Sequence, residues 1–357
     1  MDKKGVIQEH SKIKLELYRL YLEGYLVVLI NSERFECVFV HDIFAGSGMS
    51  ENGEKGSALL AAIEVDKIRS QNQNTPIILR LNEKDPDSFS NLKTALTPFS
   101  GFSEIFNQDA NDYIRNWKTP ARCHNLFFID PHGYTQLGGD NIKRLYAMER
   151  CDYLIFVPIY HIYRFLRKQE NDQQLAPIAT FLADLNIGEK EAASVTSVDE
   201  FAKLVLSALK NISGAELVYR EMIKNRAHNS QYCLFFITRN YRGAEKFLEA
   251  QAKLKRKIKE NKAQTEFAFI ADLDRDSILN FIDYDSPYDN VALYERSIRS
   301  GILPAELNKE LYKLEKSGNI QVANFPDASK RRRGHFFYVN NEYKKKNDRR
   351  IIVTFRR

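Results

Sequence analysis

Phe35-Glu36-Cys37-Val38-Phe39-Val40-His41-Asp42-Ile43-Phe44-Ala45-Gly46-Ser47-Gly48 is the stretch that decides the fold. Residues 35–43 form a nearly unbroken apolar run, as a strand buried on both faces of a parallel sheet requires. The run ends in a glycine-rich turn. Gly46 and Gly48 let the backbone bend sharply and let a ligand approach with no Cβ in the way. A strand leading straight into such a turn is the entrance to a nucleotide-binding β–α–β crossover.

Working outward, apolar runs recur at 76–83, 104–106, 125–129, 153–157 and 232–237. Helical periodicity fills the gaps at 57–68, 89–96, 112–117 and 141–149. That alternation predicts an α/β, Rossmann-like fold with helices on both faces of the sheet. Ahead of it, 7–30 has helical spacing, with Ile13, Leu17, Leu20 and Tyr21 on one face and Ser11 as the N-cap. The stretch 162–227 reads as an all-helical insertion, and a charged helix covers 244–259. Past Thr265 the texture changes. A short strand at 267–270 and helical stretches at 277–281, 291–300 and 304–317 precede Ile320-Gln321-Val322, a basic loop and Phe336-Phe337-Tyr338-Val339. Helices followed by a hairpin with a basic tip predict a winged helix, with 304–317 as its recognition-type helix. The expected division is 1–262 for the Rossmann-like domain, insertion included, and 263–357 for the winged helix with its basic wing and tail.

The charge is uneven. The whole chain carries +6, yet 326–357 alone holds eleven Lys or Arg against three acids, a net of +8. A basic tail on a near-neutral body suits a polyanion, most simply nucleic acid, or merely keeps the chain soluble. Cys37, Cys123, Cys151 and Cys233 are far apart in sequence, so no zinc spacing exists. Cysteines in apolar runs are expected to be buried and reduced, as in a reducing compartment. The polar start of the chain has no signal-like core, and the longest apolar run, 25–30, is too short for a bilayer. The expectation is a cytoplasmic protein with no membrane association and no metal site.

The turn 42–48 lacks the third glycine of a dinucleotide fingerprint and the lysine of a P-loop. An Asp closing the strand, an aromatic, a small residue and Gly-x-Gly suit S-adenosylmethionine instead. Asp42, Phe44, Ala45, Gly46, Ser47 and Gly48 are therefore the expected contacts to its amino-acid end. Glu83, closing the second strand, is placed to accept both ribose hydroxyls. Asp109 and Ala110 follow the third strand. The Asp109 carboxylate is a partner for the adenine amine or a helix cap. Asp130-Pro131-His132-Gly133-Tyr134 ends the most apolar strand. Amino-methyltransferases carry a similar sequence there, an Asp or Asn, two prolines and an aromatic, which hold the target amine and stack on a flipped base. Asp130, Pro131, His132 and Tyr134 are the catalytic candidates. His132 stands where the second proline would, as a base or as a structural residue, and Gly133 intervenes before Tyr134. With no Pro-Cys pair, cytosine C5 chemistry is excluded. Asp272, Asp274 and Asp276 begin like a calcium loop, but Ser277 and Asp283 break its pattern, and the acids read as helix caps.

Taken in order, these pieces resemble the three-Cys-motif partner protein family. The resemblance is carried by the helix around Lys12-Ile13-Lys14-Leu15-Glu16-Leu17-Tyr18, by 42–48, Gly56-Ser57 and Glu83, and by Gln108-Asp109-Ala110-Asn111. Its most specific piece is Phe128-Ile129-Asp130-Pro131-His132-Gly133, and Ile351-Ile352-Val353 closes it. The resemblance implies a bacterial protein with a methyltransferase-like domain, a C-terminal winged helix and a short three-cysteine partner protein.

Two functions follow as expectations. One is an S-adenosylmethionine-dependent methyltransferase acting on nucleic acid, with a base amine as the expected acceptor and Lys330, Arg331, Arg332 and Arg333 gripping phosphates. The other is a degenerate methyltransferase fold that binds nucleic acid or its protein partner without transferring methyl groups.

Overall fold

In a computed structural model, the chain divides into two compact units. One holds Met1–Arg239 with Ala250–Ile270, the other Asn240–Glu249 with Ala271–Arg357. The structure describes residues 9–32, 34–71, 74–131, 137–168, 172–225, 230–260, 267–269, 281–283, 286–331 and 336–356. His132, Tyr134, Arg332, Arg333, Asp272, Asp274, Asp276 and most of the helix expected at 277–281 lie outside the described residues.

The first unit opens with α1 (Glu9–Ile30) and then alternates: β1 (Cys37–Asp42), α2 (Ser57–Gln71), β2 (Ile77–Asn82), α3 (Pro86–Ala95), β3 (Ser103–Phe106), α4 (Ala110–Asn116), β4 (Cys123–Ile129), α5 (Gly139–Ala147) and β5 (Cys151–Val157). Helices α6 (Ile159–Lys168), α7 (Asp172–Asp184), α8 (Glu189–Ser194) and α9 (Val198–Ser213) precede the hairpin β6 (Leu217–Asn225) and β7 (Ser230–Thr238). Then come α10 (Tyr241–Glu260), shared between the units, and β8 (Phe267–Phe269). The eight strands lie in the order β3-β2-β1-β4-β5-β7-β6-β8. β1 to β5 are parallel, and β7 runs antiparallel between β5 and β6. Every residue of β4 and β5 is buried, which is why neither shows polar–apolar alternation.

Even the polar residues of this core are locked. His41 stacks on Phe127 with ring centroids 4.1 Å apart. Its Nδ1 meets the Tyr113 hydroxyl at 2.7 Å and its Nε2 the Asn125 Oδ1 at 3.1 Å. Burial pushes its pKa down to about 3, so it sits neutral among the strands.

Helix α1 lies across the sheet through one face. Lys14, Tyr18, Tyr21 and Tyr25 follow helical i, i+4, i+7, i+11 spacing, and all are buried. Tyr18 stacks on Phe128 at 4.2 Å. The Tyr21 hydroxyl donates to Asp152 Oδ2 at 3.1 Å, and the Tyr25 hydroxyl meets His124 Nδ1 at 2.8 Å. Lys14 reaches Asp130, and Tyr25 reaches His124 at the other end of β4. Eleven helical residues rise roughly 16 Å and six strand residues roughly 20 Å, so α1 spans β4 while running against it.

Several expectations are corrected. The helix continues past Ser11 to Glu9, so Ser11 does not cap it. Residues 217–225, inside the expected helical insertion, form strand β6. Their Arg, Glu, Met and Lys look helical, but Tyr219, Met222 and Ile223 are buried against the hairpin partner, and Glu221 is satisfied by Gln251 at 2.7 Å and Lys255 at 3.2 Å. Cys37 and Cys123, expected to be reduced, form a disulfide. They are register partners on the neighbouring strands β1 and β4, with Cα atoms 4.7 Å apart. Cys151 and Cys233 are free and buried. Among the described residues, no helix is long and apolar enough to cross a membrane.

In the second unit, β9 (Tyr288–Asp289), α11 (Asn290–Arg299), α12 (Pro304–Ser317), β10 (Ile320–Asn324), α13 (Asn341–Lys346) and β11 (Ile351–Phe355) follow the first turns of α10. The antiparallel sheet has the order β10-β11-β9. The strand expected at 336–339 is absent, and β10 pairs with β11 instead. Phe337 and Val339 alternate inward like a strand because both side chains are buried in this core. Their backbone is held by side-chain amides: Asn290 Nδ2 donates to Tyr338 O at 3.2 Å and Asn308 Nδ2 to Val339 O at 3.2 Å.

Candidate active site

Four acids gather at the carboxyl edge of the parallel strands, the edge at which open α/β sheets bind ligands. Asp42 closes β1, Glu83 follows β2, Asp109 follows β3 and Asp130 follows β4.

The glycine turn is built by backbone necessity. Gly46 and Gly48 have φ of +62° and +77°, the left-handed region that side-chain-bearing residues avoid. A Cβ on Gly48 would press on Leu92 Cδ1 at 3.1 Å, whereas a Cβ on Gly46 would meet nothing within 4 Å. Gly46 thus faces open space. Its N–H donates to Glu83 Oε2 at 2.8 Å, and Asp85 N–H donates to Glu83 Oε1 at 2.8 Å. Asn82 ties the three loops together. Its backbone carbonyl accepts from Ala45 N at 2.9 Å, and its Nδ2 donates to Ile43 O at 3.3 Å and Gln108 O at 3.0 Å.

Asp42 is fully buried. Its Oδ1 accepts from Phe44 N at 3.2 Å, while Oδ2 makes no hydrogen bond. Burial pushes its pKa up to about 7; the Ser57 hydroxyl and the Phe44 N–H pull it back, Asp130 adds to the rise, and Lys14 opposes it. The Tyr18 hydroxyl is also buried without a hydrogen bond, and burial, with Asp42 nearby, raises its pKa well above the usual phenol value. Two unpartnered buried oxygens thus lie in one polar cluster with Lys14 and Asp130.

Lys14 is the residue that sequence reasoning missed. It pairs with Asp130 Oδ2, and its ammonium lies 4.3 Å from the centre of the Phe156 ring. The Lys14 side chain is 7% exposed and that of Asp130 23%. The signal was present: a lysine one turn before Tyr18 on a helix face that is otherwise apolar or aromatic.

Asp109 acts as the cap of α4, accepting from Asn111 N at 2.9 Å, and pairs with Lys84 at 2.8 Å. The Lys84 hydrogen bond is the main reason its carboxyl sits below the usual range. Asn111, also in the cap, accepts from Gly138 N at 2.8 Å and from Asn141 Nδ2 at 3.0 Å, joining the starts of α4 and α5. Ala110 is buried and Phe44 half-buried. Ser47 turns its hydroxyl onto Met49 O at 2.6 Å. Pro131 borders an apolar cavity, with Leu137, Ile142, Phe156, Pro158 and Phe181 also on its wall. Helices α7 and α9 supply one side of it.

In the second unit, Lys330 is exposed, but Arg331 is engaged. It donates to Phe336 O at 3.2 Å, faces Glu315 at 3.8 Å and lies 5.0 Å from the Phe337 ring. Among the described residues, no group of His, Cys, Asp and Glu could hold a metal ion.

No family model and no curated protein matches the chain. Solved structures similar to it include the precorrin-6y C5,15-methyltransferase of Geobacter metallireducens GS-15, at 12% identity over 66% of this chain and 92% of that one, with a TM-score of 0.32. The O-methyltransferase TomG of Streptomyces achromogenes, in complex with adenosylmethionine, is 10% identical over 66% and 92%, with a TM-score of 0.36. The N-terminal domain of human METTL16, in complex with S-adenosylhomocysteine, is 12% identical over 66% and 73%, with a TM-score of 0.32. β3-β2-β1-β4-β5-β7-β6, with five parallel strands and β7 antiparallel between β5 and β6, is a Rossmann-like α/β arrangement.

Two outcomes are expected. Lys14→Met destabilises the protein by about 1–3 kcal/mol, because Asp130 loses its cation in a partly buried place. Adding Asp130→Asn recovers much of that loss in urea unfolding, and additive losses would contradict the pairing. Asp42 holds its proton in the folded state up to about pH 7, whereas the unfolded chain releases it near the ordinary value of 3.8. Wild-type stability therefore falls relative to Asp42→Asn as pH rises from about 4 to about 7, by up to about 1.4 kcal/mol per unit. A pH-independent difference between the two would mean that Asp42 is not so buried.

Proposed function

We propose that the chain is an S-adenosylmethionine-dependent methyltransferase acting on nucleic acid, with a base amine as the acceptor. The observation that carries this reading is the edge made by Asp42, the Gly46 turn and Glu83. A buried carboxylate with a spare oxygen lies beside a glycine facing open space and an acid folded onto that glycine's N–H. These residues fit the cofactor. Asp42 and the turn Phe44, Ala45, Gly46, Ser47 and Gly48 would hold its amino-acid end. Glu83 would hold the ribose, and Asp109 with Ala110 would border the adenine.

Bound there, the cofactor would supply an electrophilic methyl group. The chain's own part is orientation. The Asp130 carboxylate and the Pro131 carbonyl accept the hydrogens of the target amine and aim its lone pair. Lys14 keeps Asp130 in place from behind. The apolar wall beside Pro131 keeps water from the reacting atoms. His132 and Tyr134 are assigned to the target side, Tyr134 to stack on the base.

We read the second unit as a winged helix, on the order β9-α11-α12-β10-α13-β11, with α12 as its recognition-type helix and the basic stretch that begins at Lys330 as its phosphate grip. The chain resembles the three-Cys-motif partner proteins, and a three-cysteine protein is the partner this resemblance suggests.

A second reading rests on Lys14. Its pairing with Asp130 occupies the carboxylate, as in a fold that binds but no longer transfers. Incubation with methyl-tritiated adenosylmethionine and unmodified DNA or RNA separates the two. The transferring enzyme labels the nucleic acid, Asp130→Ala and Asp130→Asn lower the label at least about 100-fold, and both variants still bind nucleic acid. Undiminished labelling by Asp130→Asn would remove Asp130 from the chemistry, and no labelling by the wild type would favour the binding protein.

A further inference from the structure

Among the described residues only four large apolar side chains are exposed, and two of them are phenylalanines from the excursion between β10 and β11, Phe325 and Phe336. Phe336 is 54% exposed. Its ring packs edge-on against Tyr338 at 4.9 Å, and Tyr338 packs edge-on against Tyr343 of α13 at 5.2 Å. Tyr338 is held at φ +57°, a left-handed conformation that costs an aromatic residue energy and persists only where the surroundings impose it. The surroundings are plain: its carbonyl accepts from buried Asn290, and Asn340 N donates to that same carbonyl at 3.2 Å. The fold thus fixes an aromatic step whose outermost ring stands in solvent.

Cations follow these rings along the chain. Lys345 and Lys346 are exposed at the end of α13, and Lys346 is one turn from Tyr343. Arg350 is exposed, and its guanidinium pairs with Asp348 at 2.8 Å. The segment 326–357 that bears these groups carries a net charge of +8.

We propose that Phe336, Tyr338 and Tyr343 with Lys345, Lys346 and Arg350 form a docking surface for single-stranded nucleic acid, with Phe336 as the ring on which a base stacks. This deepens the nucleic-acid part of the function proposed above and rests on it. Every base has a π-face for an exposed ring, and the flanking cations take the phosphates. A duplex keeps its base faces stacked inside and offers Phe336 nothing, so the surface selects single strands. Arg331, turned inward onto Glu315 and Phe337, supports the platform and does not grip phosphate.

The test is fluorescence anisotropy of the full chain with a labelled oligothymidylate of about 20 nucleotides and with a duplex of the same length, across a salt series. Phe336→Ala should weaken single-strand binding about tenfold with the salt slope unchanged and leave duplex binding alone, while Phe336→Trp retains it. The double variant Lys345→Ala/Lys346→Ala should flatten the slope by roughly 1.4. Wild-type single-strand binding that Phe336→Ala leaves intact would overturn the platform but not the nucleic-acid reading. Equal losses on duplex and single strand would overturn the selectivity. If neither probe binds the wild type, the nucleic-acid reading itself falls. Self-association abolished by Phe336→Ala would then assign the surface to a second copy of this chain.

Discussion

The face of α1 made by Lys14, Tyr18, Tyr21 and Tyr25 is the constraint on which the site depends. Three tyrosines bury large rings while their hydroxyls reach polar positions of the sheet or the buried Asp42 cluster. Tyr21 and Tyr25 find Asp152 and His124. A helix fixed at those points delivers Lys14 to the end of β4, where its ammonium meets Asp130 and the Phe156 ring. An unpaired lysine buried there would be costly, and so would an Asp130 left without its cation. Each charge justifies the other, and the helix sets the distance between them.

The carboxyl edge is held together by amides more than by charges. Asn82 binds the loops after β1, β2 and β3, and Asn111 joins the cap of α4 to the start of α5. Such side chains satisfy loop backbone groups that would otherwise be unpaired, so the acids they flank stay where the strands aim them. The result is a rim at which three buried oxygens, Asp42 Oδ2, Asn82 Oδ1 and the Tyr18 hydroxyl, make no hydrogen bond. Buried polar atoms without a partner are uncommon in folded proteins, and Asp42 Oδ2 belongs to the residue that closes β1 just before the glycine turn.

Much of this was legible in the sequence, and what was not has physical reasons. The run 35–48 gives the first strand and its turn because burial on both faces and positive φ both leave marks on residue type. Glu83 and Asp130 were legible because strand ends are. Lys14 was hidden because periodicity identifies a buried face but not what a polar residue on that face will meet. The Cys37–Cys123 disulfide depends on β1 and β4 being neighbours in register, which spacing along the chain does not encode. β6 was masked by helix-forming residues whose strand state comes from pairing with β7. Phe337 and Val339 imitated a strand because alternate burial is all that the period-two pattern reports; Asn290 and Asn308 hold their backbone instead. Arg331 shows that one member of a basic run can turn inward, here onto Glu315 and Phe337.

The central claim is that the edge of Asp42, Gly46 and Glu83 receives S-adenosylmethionine, and calorimetric titration of the purified protein with that cofactor tests it most directly. Gly46→Asp is the control, since aspartate tolerates the left-handed backbone and sends a carboxylate into the open space beside Glu83. Saturable binding by the wild type that Gly46→Asp removes is the predicted result. A wild type that takes up no cofactor, or a Gly46→Asp variant that binds it equally well, would contradict the assignment.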